Sequence, residues 1–141
     1  MSDQMLATYA IATGEKQVNW MLSAADERDG GAKFSQQVDS PEALAQSLEG
    51  LERQGELPAG LTVNVVHSPL REAYLARHPE NADGKIPNPA GAWHMVLVMG
   101  INKDASGKVE SVTMHNPWGT VQTVPIEQMY QAMLPPPEAQ S

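Results

Sequence analysis

Leu44, Leu48 and Leu51 recur at i, i+4 and i+7 with polar residues between them, which lays one apolar stripe along a helix. Ser40 suits the N-cap of that helix, Pro41 its first position and Gly55 its C-terminal stop, so the pattern predicts a helix from 41 to about 54. Beyond the Leu57–Gly60 turn, residues 61–67 are rich in β-branched side chains and strand-like. A nearly continuous apolar run over 93–101 predicts a buried strand, 109–115 alternates as a second strand, and 120–124 makes a third. Residues 68–76, with Leu70, Tyr74 and Leu75, predict a short helix, and 126–133 another.

The first quarter reads differently. Residues 3–25 contain no proline, are rich in alanine, and place Leu6, Tyr9, Ala10 and Thr13 at helical spacings, with Val18, Met21 and Leu22 on one face after a break at Gly14. Residues 26–32, 78–91 and 102–108 read as loops or turns, and 135–141, with its prolines, as a disordered tail. Helices followed by sequence-adjacent strands imply a single α+β domain over 1–134, with N-terminal helices packed on a small antiparallel sheet.

Composition narrows the function classes. The formal charge is −8, with 9 basic against 17 acidic residues, and the basic residues are scattered. Such a surface repels phosphate backbones and anionic lipid, so neither nucleic acid nor membrane is expected as a partner. No apolar stretch approaches the length of a membrane span, and no positive region precedes the first apolar residues as in a secretory signal. Location is therefore expected to be cytoplasmic, or exported by a signal-independent route. Eight methionines among few aromatics suit gap-filling in an aliphatic core. The chain has no cysteine, which removes disulfides, thiolate metal sites and any thiol nucleophile of its own.

Candidate chemistry concentrates in one hairpin. The register that sets Ile101 opposite Val109 also sets His94 opposite Asn116, on one face, with Cβ atoms roughly 4.5–5.5 Å apart. An asparagine oxygen there accepts from an imidazole N–H and leaves the other ring nitrogen to act as a general base. A slip by one residue would place the two on opposite faces. His67, His78 and His115 lack ligand spacing for zinc, Asp83 and Asp104 belong to turns rather than calcium loops, and Gly30-Gly31 has no phosphate-loop pattern around it. No metal or cofactor is implied.

The segments Trp-His-Met-Val-Leu-Val-Met-Gly (93–100) and His-Asn-Pro-Trp-Gly (115–119) resemble the histidine and asparagine segments of papain-like and calpain-like cysteine peptidases and their compact bacterial relatives. The resemblance covers about residues 91–124. It implies a papain-like fold in which His94 is the base, Asn116 orients it and Trp118 shields their hydrogen bond. It puts Met5 at the place of the nucleophile and Gln4 at that of the oxyanion donor. A methionine thioether has no proton to lose and cannot serve as the attacking anion. Ser2 and Ser23 are the other hydroxyl candidates upstream, with nothing beside either to make a Ser–His pair.

Three readings follow. The first is a papain-like domain, inactive as it stands, that holds a peptide or protein partner beside His94. The second is a cysteine protease or acyltransferase, of the bacterial-effector kind, whose cysteine was mutated or lies upstream of this sequence. The third is a non-enzymatic α+β interaction module. The loop over 78–89 is where the first two would carry specificity.

Overall fold

The computed structural model describes residues 9–13, 33–64, 67, 70–77, 93–116 and 119–134. The elements are β1 (Tyr9–Ala12), β2 (Lys33–Gln37), α1 (Pro41–Arg53), β3 (Ala59–Asn64), α2 (Arg71–Arg77), β4 (Trp93–Lys103), β5 (Val109–Asn116), β6 (Thr120–Pro125) and α3 (Ile126–Ala132). The fold class is α+β. Among the described residues, six strands form one sheet in the order β2-β1-β3-β4-β5-β6.

The sheet is mixed rather than antiparallel, which corrects the expectation above. β1 pairs parallel with both β2 and β3, whereas β3-β4-β5-β6 pair antiparallel throughout. A second correction concerns the N-terminal helix expected over 3–25: its part at Tyr9–Ala12 is a central strand. Ala10, Ile11 and Ala12 are fully buried between two neighbours, so the side-chain alternation of a half-exposed strand never arises. Alanine spacing then mimics a helix. The rest of that expected helix, the loops at 26–32 and 78–91, and the tail at 135–141 lie outside the described residues.

α1 forms as its stripe predicts. The Ser40 hydroxyl accepts the Ala43 N–H at 3.0 Å, Pro41 opens the helix, and Gly55 beyond its end takes φ 74°. Leu44, Leu48 and Leu51 are buried, each burial stabilising the fold by about 1.5–3 kcal/mol. They join one core cluster with Met129, Ala132 and Met133 of α3 and its C-terminal turn, and with Leu61, Val63, Val96, Val98, Val112, Met114 and Val124 of the sheet. Both helices therefore cover the same sheet face. Three methionines fill this core, as the aliphatic composition requires.

Two long-range hydrogen bonds fasten α3 to the far side of the sheet. Thr13, just after β1, donates its hydroxyl to the Met133 carbonyl at 2.9 Å, and His67 Nε2 donates to the Leu134 carbonyl at 3.0 Å. These carbonyls lie at the C-terminal end of a helix, where intrahelical donors have run out.

Candidate active-site pair

One end of the sheet gathers the polar residues. Ile11 sits beside Leu61, Leu61 beside Val96, and Val63 beside His94, so β1 and β3 both run toward the level at which β4 begins. β5 ends close by, beside Val96, with Asn116, which pairs with Thr120 of β6. Thr13, Asn64, His94 and Asn116 thus all stand at the carboxyl ends of β1, β3 and β5 or at the amino end of β4. α1 and α2 also begin from this end, after β2 and β3 respectively.

His94 shares a face with Val96 and Val98, and Asn116 shares it with Met114, because side chains alternate along a strand. That is the face under the helices. His94 is half-buried and Asn116 wholly buried. His94 Nε2 lies 3.0 Å from Asn116 Oδ1. A carboxamide oxygen can only accept, so Nε2 carries the proton and donates. In the neutral ring the lone pair then sits on Nδ1, the nitrogen able to take a proton from another group.

The register that brings them together differs from the expected one. Leu97 pairs with His115 and Val98 with Met114, so Asn116, one residue further, falls beside Val96 rather than His94. The pair meets on the diagonal. Asn102 and Lys103 are the cause: they continue β4 instead of entering the turn, and Lys103 pairs with Val109. The turn tightens to 104–108, closed by the Asp104 N–H on the Lys108 carbonyl at 2.8 Å and by Gly107 at φ 88°. The Asp104 carboxylate accepts from the Ser106 N–H, the Ser106 hydroxyl and the Lys108 N–H at 2.9, 2.7 and 3.0 Å. At the His94 end the register moves by two residues and keeps those side chains on their face, whereas over Gly100–Asn102, beyond the irregularity at Met99, it moves by three. Irregularities near Gly100 and Lys103 bend β4 and leave Met99 39% exposed.

The Asn-Pro-Trp-Gly segment has a local reason as well. The Gly119 N–H donates to the Asn116 carbonyl at 2.8 Å, closing a four-residue turn between β5 and β6, and Gly119 adopts φ 108°. A side chain at that φ would be strained. The turn fixes the Asn116 backbone; the buried carboxamide then needs a partner, since burial without one costs about 1–3 kcal/mol.

The remaining expected site residues, Gln4, Met5 and Trp118, lie outside the described residues, as do Ser2, Ser23 and His78. His115 faces away from Asn116 across its strand, and His67 is committed to the Leu134 carbonyl. Among the described residues no three His, Cys, Asp or Glu side chains gather as a metal site, and no helix is long and apolar enough to cross a membrane. Thr13 and His67 were not legible as partners of α3, because each bond joins residues far apart in the chain.

No protein-family model matches the chain, and no match was found among curated proteins or solved structures.

Proposed function

We propose that this chain is a papain-like hydrolase-type domain that retains the base and its orienting amide, and that it is inactive as it stands because it has no thiol. The observation that carries this reading is the part-buried His94 Nε2–Asn116 Oδ1 hydrogen bond at 3.0 Å. It holds the ring by Nε2 in one orientation, as an asparagine does for a cysteine-activating imidazole. Peptidyl or acyl substrates follow as the class, because a thiolate paired with an imidazole attacks such carbonyls. The thiol itself must come from outside these residues, by an upstream segment or an ancestral residue at Met5. Without it, the surface beside His94 serves to hold a peptide segment.

The test restores the missing atom. Single cysteines are placed in turn at positions 3–8 and 14–17, and alkylation by iodoacetamide is followed against pH. At the right position the imidazolium lowers the thiol pKa, so alkylation proceeds well below the ordinary thiol range of about 8.5. His94→Ala in the same background should return it to that range. If every introduced cysteine titrates normally and ignores His94→Ala, the papain-like reading is wrong.

A further inference from the structure

A groove of about 300 Å³, at the lower end of the range for small-molecule sites, opens between α1 and the start of β1. Tyr9 lines it from the strand, and Ala43, Ser47, Gly50, Leu51 and Gln54 line it from α1 at helical spacings, with the exposed Gln46 beside them. Two of these residues have no account in the packing of the chain. Gly50 lies within α1, where glycine weakens a helix relative to alanine, and a Cβ built on it would meet nothing within 4 Å. Steric fit against the rest of the chain does not require this glycine; close approach of a ligand to the helix backbone does. Ser47 is 8% exposed, and among the described residues its Oγ has no hydrogen-bond partner. A buried hydroxyl is costly to leave unpaired, and one turn about χ1 redirects it.

We propose that this groove binds a single uncharged sugar ring of hexose size. The chemistry of the lining selects it. No Asp, Glu, Lys or Arg lines the groove, so neither an anion nor a cation finds a counter-charge there, and the net charge of −8 repels phosphate besides. Instead three neutral hydrogen-bonding side chains, Gln46, Ser47 and Gln54, stand among the apolar Ala43 and Leu51 and the ring of Tyr9. A pyranose matches that mixture. Hydroxyls around its edge exchange hydrogen bonds with amides and with a serine, and its C–H face packs on an aromatic or aliphatic wall. An extended peptide matches it less well: it gains most by adding to a strand, and Tyr9 is already paired with Lys33 on one side and Ala59 on the other. Gly50 lets the sugar sit against α1, and Ser47 turns its hydroxyl toward it. The site is separate from the His94–Asn116 pair. Tyr9 pairs with Ala59 and Ala59 with Val98, about 13 Å along β4 from His94, so the proposal stands apart from the papain-like reading.

NMR titration of the whole labelled chain with the methyl pyranosides of glucose, galactose and mannose, up to tens of millimolar, tests it. At least one should shift the backbone amides of Ser47 and Gly50 and the side-chain amides of Gln46 and Gln54, saturating in the millimolar range. Gly50→Leu fills the groove and should weaken binding by at least about tenfold. Ser47→Ala removes one hydrogen bond and should weaken it roughly three- to tenfold. Both variants should melt at or above the wild-type temperature, because neither the missing side chain nor the unpaired hydroxyl serves the fold. Four results would each overturn the proposal: no pyranoside shifting these signals, shifts that survive Gly50→Leu, equal shifts from N-acetylglutamine methylamide at the same concentrations, or either variant melting well below the wild type.

Discussion

The hydroxyl of Thr13, just past the first strand, donates to the carbonyl of Met133, 120 residues later, at 2.9 Å. It locks the C-terminal turn of α3 over the parallel half of the sheet, and His67 repeats the contact on the Leu134 carbonyl.

Thr13→Val keeps the shape and removes this donor. The fold should lose about 1 kcal/mol, the net worth of a typical hydrogen bond, in urea unfolding. Amide exchange should quicken first at Met129–Met133, whose end is no longer fastened. An effect spread evenly over α1 and α3 would show that the contact does not anchor the helix.

Asn116→Ala removes the acceptor of the half-buried His94 Nε2–H. The expected loss is about 1–3 kcal/mol, with the His94 ring losing its single tautomer. Nitrogen chemical shifts of the labelled ring report this: Nε2 protonated in the wild type, mixed tautomers in the variant. A ring unchanged by the substitution would mean that Asn116 does not orient it.

In the tight turn, the Ser106 hydroxyl foremost, with the Lys108 N–H next, holds the Asp104 carboxyl below its ordinary 3.8. A carboxyl lowered in the folded state favours folding above its unfolded value, and that contribution disappears as pH falls through the lowered folded value. Asp104→Asn should therefore destabilise the protein near neutrality and converge on the wild type in strong acid. Thermal unfolding between pH 2 and about 7 tests the crossing. A constant difference across that range would rule out the carboxylate as the cause.

Tyr130 shows the opposite sign. Burial, then the neighbouring Asp39 carboxylate, raises its phenol above the ordinary 10.0. Its contribution to folding is complete below 10.0 and is lost as pH climbs toward the raised value. Tyr130→Phe should be less sensitive than the wild type to alkaline unfolding above that point. Parallel pH profiles for the two proteins would contradict it.

Local patterns were enough for α1, whose stripe, cap and stop all agree, and for β4, β5, β6 and α3, whose limits move by a residue or two at most. They were also enough to put His94 and Asn116 on one face, because at their end of the hairpin the true register differs from the expected one by an even step. Alternation has a period of two and is blind to such a step. What remained for the tertiary structure was everything decided by neighbours distant in sequence. The alanines of Tyr9–Ala12 suit helix or strand alike, and only the flanking β2 and β3 make them a strand, turning an antiparallel sheet into a mixed one. Thr13 and His67 find α3 for the same reason. A strand in the middle of a sheet, or a hydroxyl at its end, takes its role from partners that no local window of residues contains.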